Sequence, residues 1–400
     1  MRLCVRLYRG QRGCSIHHRE VDHRLPFVVL ADDSTGANAS AGALAQSLGV
    51  MIPVMDRIPP QVDTPFVLNS RSREDASRSR LVAQWARALW DRGVRDLDKR
   101  VDTTLRGPGP AELEELVSAI PDSPWIGVVA AYPGAGRTTR GGRQFLDGVP
   151  LAERMDCPTD VLADYLFGPE SRCLVVETNK LSSEVLPESL ADTSVPVIFD
   201  ATDNADLAQI ARVLRIVRRR HEGTMITVSS GALLNYYPAT PAGPTAILIG
   251  SPTAINMAQL RYLAERLSAF VWPLEQTIGE HTPGPEGVVI LHSGLNVVEP
   301  AQRQNVSGQL ARWAVTRLDE LAQRGWAARR IIASGGEMSQ SFLDQSGASG
   351  TLMAALGSPL VGHGTIVGGH YEGIEFLTKG GLVGYPALLV ELALGPALHQ

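Results

Sequence analysis

The chain is poor in cysteine, carries no large excess of either charge, and has no apolar run approaching the length of a membrane span. Its four cysteines, Cys4, Cys14, Cys157 and Cys173, form no CxxC pair and follow no metal-ligand spacing. That argues against a disulfide framework or a zinc site and favours a reducing cytoplasm. With 37 basic against 42 acidic residues the formal net charge is −5, so no general basic field exists to hold nucleic acid or an anionic membrane. The pattern GxxxxGK[ST] is missing, and with it the Walker type of phosphate loop.

What is present is an ordinary globular composition, 44% hydrophobic and 20% charged, over 400 residues. That length exceeds what one core usually organises and predicts two domains. Residues 1–25 stand apart, with Arg2, Arg6, Arg9, Arg12, Arg19 and Arg24 against only Glu20 and Asp22, and read as an irregular extension.

Val28-Val29-Leu30 reads as a buried strand that delivers Asp32 and Asp33 to the mouth of a helix running from Ala37 to Leu48 and closed by Gly49. Open α/β sheets place ligands at such carboxyl ends, where helix N–H donors favour anions. A second strand, residues 65–69, ends in Ser70-Arg71-Ser72-Arg73, with a helix expected from Glu74. Either arginine could grip an anion. Asp102-Thr103-Thr104-Leu105-Arg106-Gly107 combines an acid, hydroxyls, an arginine and a glycine, suited either to gripping carboxylate and hydroxyl groups or to a capped turn. After a strand at 126–131, Tyr132 to Gly142 reads as a glycine-rich loop carrying Arg137 and Arg140.

Strand and helix alternate to about Val228, pause at a Pro/Gly-rich interval, and resume. The organisation expected is an N-terminal domain over 26–236, a linker over 237–245 and a C-terminal domain over 246–400. Each domain is read as a mainly parallel sheet flanked by helices, an α/β architecture. In the second half Gly250-Ser251, Gly335-Gly336-Glu337, Gly364, and Lys379 with Gly381 and Gly384 place glycines and a lysine at strand ends. Those are the makings of a nucleotide site or of structural turns.

Taken together these residues resemble the four-carbon acid sugar kinase family. Ala31-Asp32-Asp33-Ser34-Thr35-Gly36-Ala37-Asn38 meets its opening Ala-Asp-Asp-x-Thr-Gly-Ala-Asn. Asn69, Ser70 and Arg71 meet its arginine-bearing strand end. Asp102 to Gly107 meets Asp-Ser-Thr-Leu-Arg-Gly with Thr103 for Ser, and Tyr132 to Thr139 meets Tyr-Pro-x-x-Gly-Arg-Thr-Thr. In the second half Gly250, Ser251 and Gln259 match, but Asn256 stands for Thr, Glu337-Met338 for Asp-Thr, Gly380 for Ser and Val383 for Phe.

The resemblance implies a kinase using ATP and Mg²⁺ to phosphorylate a hydroxyl of a short sugar acid, with its active site in the interdomain cleft, no nucleic-acid or membrane partner, and homo-oligomerisation left open. It implies Asp32, Asp33 or Asp102 as proton acceptor. Asn38, Arg71, Thr104, Arg106, Gly107 and Arg137 would line the acid's site, with Arg71 and Arg106 as its carboxylate clamp. Gly250, Ser251, Gln259, Gly335, Gly336, Glu337, Gly364, Lys379, Gly381 and Gly384 would lie around the nucleotide. Met338, Gly380 and Val383 favour a competing expectation, a sugar-acid-binding or regulatory protein that has lost phosphotransfer. Ala39 and Ala130 favour a kinase with a different small acidic acceptor.

Overall fold

A computed structural model describes residues 27–183, 185–267, 269–274, 276, 283–284, 286–294, 303–358 and 360–397. The 1–25 extension, with Cys4 and Cys14, lies outside the described residues. The first half runs β1 (Val28–Ala31), α1 (Ser34–Leu48), β2 (Val54–Met55), β3 (Phe66–Asn69), α2 (Arg80–Asp91), β4 (Asp96–Arg100), α3 (Gly109–Ala119), β5 (Trp125–Val129), β6 (Arg137–Arg140), β7 (Arg143–Leu146), β8 (Val149–Pro150), α4 (Leu151–Arg154), α5 (Leu162–Phe167), β9 (Leu174–Val176), α6 (Leu186–Ala191), β10 (Val197–Phe199), α7 (Asn204–Arg220) and β11 (Met225–Ser229). The second half runs β12 (Thr245–Ile249), α8 (Ala254–Arg266), β13 (Phe270–Pro273), β14 (Val288–His292), α9 (Arg303–Gln323), β15 (Arg330–Ser334), α10 (Gly336–Gln345), β16 (Gly350–Ser358), β17 (Val361–Val367), β18 (Glu375–Lys379) and α11 (Leu388–Leu394).

The first sheet is parallel throughout, in the order β2-β3-β1-β4-β11-β5-β10-β9, and β6-β7-β8 form a small antiparallel sheet beside it. The second sheet has the order β13-β14-β12-β15-β18-β17-β16, parallel except for the last two pairings. Near-continuous apolar strands such as β1 and β12 are what a sheet covered on both faces demands. Accordingly each sheet has a hydrophobic cluster on either side. One of these clusters joins Ala205 and Ala208 of α7 to apolar residues of the second half, so α7 belongs to both halves. Arg266 of α8 donates to Asp206 at 2.5 Å across the same seam.

The strand β4 has no sequence signature, because Asp-Leu-Asp-Lys-Arg carries four charges in five positions. It is nevertheless central, and two of its charges, Asp98 and Lys99, have specific buried partners. Thr227 and Ser229 of β11 donate to Asp98 at 2.7 and 3.0 Å. Burial still pushes the Asp98 carboxyl up to about 6. Lys99 pairs with Glu112 of α3 at 2.9 Å, both side chains fully buried.

Three further expectations change. The second helix begins at Arg80 rather than Glu74, because Asp75 accepts from Ser77 N and Oγ and caps a 3₁₀ turn over Ala76–Ser79 first. The glycine-rich stretch at 132–142 is not an open loop but a tight turn followed by the β6 strand of the β6–β7 hairpin. The Pro/Gly-rich interval after 236 is a packed strap: Tyr237, Ala239 and Ala242 are buried, the Tyr237 ring meets Phe27 edge-on at 5.7 Å, and Arg215 of α7 donates to the Tyr236 carbonyl at 3.0 Å.

Candidate functional site

On the first sheet the carboxyl ends of β3, β1 and β4 are adjacent, with Asn69 opposite Ala31 and Lys99 opposite Leu30. The loops leaving them converge on one side chain, Arg73. Its Nε and Nη2 donate to Asp32 Oδ2 and Oδ1, each at 2.9 Å, while its Nη1 lies 3.2 Å from Asp33 and 3.6 Å from Asp102. Three carboxylates from two strand ends thus share one guanidinium, whose charge offsets their mutual repulsion.

The three acids differ in freedom. Asp32 is sealed, its side chain 2% exposed and both oxygens held. Asp102 accepts from the Thr104 amide at 3.1 Å and hydroxyl at 2.5 Å, and from Arg106 Nε at 2.9 Å. Burial alone would raise the Asp102 carboxyl, but the Arg106 and Thr104 hydrogen bonds and the Arg73 charge outweigh it and hold the group well below the usual carboxylate range. Asp33 is the most open, at 16%. It caps α1 by accepting from Gly36 N at 2.9 Å, as the sequence position of an acid before Ser-Thr-Gly suggests.

Two residues here take left-handed backbone conformations that glycine normally supplies: Arg71 at φ 55° and Leu105 at φ 58°. Both sit in loops bearing the acid cluster's partners. Gly107, at φ 86°, is needed for space as well, since a Cβ there would lie 2.7 Å from Asp32 Oδ2 and 3.2 Å from Arg73 Nε.

The sequence-nominated residues are only partly assembled. Asp32, Asp33, Asp102, Thr104, Arg106 and Gly107 come together around Arg73. Arg71, however, is exposed, and Arg73, two positions on, takes the central place. Asn38 is exposed on α1. Arg106 is 60% exposed with its fork turned onto Asp102. Arg137 donates to the Ala135 carbonyl of its own turn. Its hairpin is nonetheless tied to the cluster, because Gln144 of β7 donates to Thr103 O at 3.3 Å and Ala130 O at 3.1 Å. The buried charges behind the loops, Lys99 and Glu112, escaped sequence reasoning. Ser70 and Ser72 donate to Glu112 at 3.0 and 2.6 Å, so the pair anchors the residues on either side of Arg71.

On the second sheet Ile249, Ser334 and Lys379 are in register at the carboxyl ends of β12, β15 and β18. Lys379 is buried and is the last residue of its strand rather than lying beyond it. Its Nζ donates to Asn256 Oδ1 at 3.0 Å, Ser334 Oγ at 2.8 Å and the Gly380 carbonyl at 3.0 Å. All three partners are neutral, and burial lowers the amine to about 8. A buried cation held by neutral dipoles at a glycine-lined strand end has an unspent charge for an anionic ligand.

Gly335, at φ 109°, opens α10, and Thr253 caps α8 while donating to the Gly381 carbonyl at 2.5 Å. Gln259 donates to the Val383 and Tyr385 carbonyls and so braces the Gly384 turn from below. Met338 points into the core, and a Cβ on Gly250 would lie 3.0 to 3.3 Å from it. Gly364 pairs with Met353 and Phe376 inside the sheet, where a Cβ would meet the Leu352 carbonyl at 2.2 Å, so the neighbouring backbone by itself requires glycine there. Asn256 and Ser334, which hold Lys379, were not among the nominated residues.

The molecule is thus an α/β protein built on two large sheets, whose halves carry chemically different edges, one of acids and guanidinium, the other of glycines around a lysine. Residues 27–237 match the family model described as a sugar-binding N-terminal domain, and residues 246–389 match that of a nucleotide-binding C-terminal domain. The chain belongs to the four-carbon acid sugar kinase family. It is 26% identical to a D-threonate kinase of Bordetella bronchiseptica over 92% of this chain and 97% of that one, and 26% identical to a D-erythronate kinase of Heliobacterium modesticaldum over 89% and 94%. Its fold is also that of a crystallised domain of unknown function from Bordetella bronchiseptica, described as a domain-swapped dimer with bound citrate (TM-score 0.64, 22% identity, covering 92% of this chain and 98% of that one). No helix of the described residues is long and apolar enough to cross a membrane.

Proposed function

We propose that the chain is an ATP-dependent kinase that phosphorylates a hydroxyl of a short sugar acid, in the four-carbon class that the relatives' names indicate. The observation that carries this reading is Lys379, a buried amine with only neutral partners at the edge of the half that matches a nucleotide-binding domain. Lys379, with the backbone of Gly380, Gly381, Gly335 and Gly336, would hold the triphosphate, which supplies the phosphoryl group. Among the described residues no group of three or more His, Cys, Asp or Glu side chains is disposed to hold a metal ion. Mg²⁺ needs only one or two carboxylates when phosphates supply its other ligands. Glu337, exposed in the first turn of α10, is such an acid.

In this reading the acceptor lies at the β3-β1-β4 edge, and the two edges meet across the interdomain cleft. Transfer requires an acceptor oxygen in line with phosphorus and a group to take its proton. Asp33 is assigned that role as the most exposed of the three acids, Asp32 being sealed beneath Arg73 and Asp102 held by Thr104 and Arg106. Arg73 holds the geometry of the cluster rigid. The same reading puts the reaction in the cytoplasm, and homo-oligomerisation would be read directly by light scattering.

Met338 favours a second reading, a binding protein without transfer, but its side chain belongs to the core rather than to the Lys379 edge. Thermal shift decides between them: a ligand of the native state raises the midpoint. The kinase reading expects stabilisation by millimolar ATP with Mg²⁺ and separately by D-threonate or D-erythronate. Stabilisation by an acid alone, with none by nucleotide, would support the binding protein.

A further inference from the structure

One cation near the acid cluster makes no direct ion pair among the described residues. Arg100, the last residue of β4, is only 8% exposed, and among the described residues its one hydrogen bond is from Nη1 to the Val101 carbonyl at 2.6 Å. Its Nε has no hydrogen-bond partner among the described residues, and neither has Ser40 Oγ on α1, which is wholly buried. Asp98, Asp102, Asp32 and Asp33 are all near enough to favour its charge, yet each is committed to other donors. Burying a guanidinium without a paired anion is costly.

The two unpartnered groups lie on the same spot. A Cβ on Gly231, at the end of β11 with φ 96°, would sit 3.4 Å from Arg100 Nε, 3.5 Å from its Cζ and 3.5 Å from Ser40 Oγ. A Cβ on Gly36, in the first turn of the 15-residue α1, would sit 2.5 Å from the capping Asp33 Oδ1 and 3.4 Å from the same Nε. The guanidinium edge is thus approached by two glycines, beside a helix start that favours negative charge and is capped by Asp33.

We infer that Arg100, with Ser40 and the first turn of α1, forms the subsite for the carboxylate of the sugar acid. The inference rests on the function proposed above and replaces the Arg71 and Arg106 clamp that the family resemblance implies. Arg73 and Arg106 already spend their forks on Asp32 and Asp102, whereas the buried Arg100 Nε has no hydrogen-bond partner among the described residues. The acceptor's acid end would then be held at the floor of the β1-β4-β11 edge, leaving its hydroxyls toward Asp33.

The test is calorimetric titration of the full chain without nucleotide, using D-threonate, D-erythronate, the uncharged polyol threitol, and inorganic phosphate. The wild type is expected to bind an acid at least tenfold more tightly than threitol. Arg100→Met should weaken acid binding roughly thirtyfold, as expected for a lost charge-assisted contact, with threitol binding unchanged. Arg100→Lys, which keeps the charge but loses the fork, should fall between. Arg106→Ala should change acid binding less than about threefold, as for an exposed ion pair. Thermal midpoints check folding; should Arg100→Met not fold, Arg100→Lys decides, with at least a fivefold fall in the acid-to-threitol ratio required. Wild-type acid affinity retained in both Arg100 variants overturns the subsite while leaving the proposed function standing, as does a loss confined to phosphate. A wild type that binds no acid overturns both.

Discussion

Arg73 and Asp32 meet fork to fork, two parallel hydrogen bonds of 2.9 Å that close the loop after β3 onto the end of β1. The contact fixes more than two residues, because the third nitrogen of the same guanidinium faces Asp33 and Asp102. Removing the cation leaves three acids facing one another. Arg73→Met is therefore expected to destabilise the fold by about 3 kcal/mol, the lower end for breaking a buried pair since Arg73 is a quarter exposed. Urea denaturation monitored by tryptophan fluorescence checks this, and a change below about 0.5 kcal/mol would count against the hub.

Asp33 allows catalysis and capping to be separated. Asn is as good an N-cap as Asp, so Asp33→Asn should leave the denaturation midpoint nearly unchanged. As the proton acceptor it should cost at least about a hundredfold in kcat, the usual contribution of a positioned base. A variant with wild-type turnover would pass that role to another group.

Lys379 predicts two pH dependences of distinct sign. Its amine titrates near 8 in the folded chain because burial disfavours the charged form. The charge needed for phosphate is lost above that pH, so kcat/KM for ATP should fall on a basic limb near pH 8. Anionic phosphates stabilise the charged amine, so the limb in kcat should lie higher. For stability, the unfolded chain keeps its proton to about 10.4 while the folded one releases it near 8, so stability rises with pH between those values. Lys379→Met should lack that rise. Parallel pH profiles of wild type and variant would assign the limb elsewhere.

Lys99 and Glu112 test how the loop carrying Arg71 and Arg73 is held. With both side chains fully buried, Lys99→Met alone should cost about 3–5 kcal/mol by stranding the carboxylate. Adding Glu112→Gln to that variant should recover a large part, because the neutral amide still accepts from Ser70 and Ser72. Denaturation of the two single variants and the double variant gives the coupling directly. Additive losses would mean that the pair is not coupled.

Much of this architecture is legible from residue order. The β1–α1 unit declares itself by three apolar residues, an Asp cap and a closing glycine, and Gly49 does take the left-handed C-cap. The strands β12, β14 and β15 are apolar runs. The central strand β4 is not legible, since its buried Asp98 is hydrogen-bonded by partners as distant in sequence as Thr227 and Ser229, and Lys99 is paired with Glu112 of α3. The same limit separates Arg71 from Arg73. Both sit in a serine-arginine turn, and only the αL backbone at Arg71, with Ser70 and Ser72 tied down to Glu112, turns the first outward and the second onto the acids. Lys379 could be nominated from neighbouring glycines, but its neutral cage comes from Ser334 at the end of β15 and Asn256 in the first turn of α8.

The central claim is that an acid on the first sheet and a triphosphate on the second react together. It is tested most directly by following ADP formation from ATP and Mg²⁺ across sugar acids of three to six carbons, with the purified full chain. The account predicts acid-dependent turnover with D-threonate or D-erythronate, abolished in Lys379→Met and reduced at least about a hundredfold in Asp33→Asn. A folded chain that forms no ADP with any acid of the panel would contradict it.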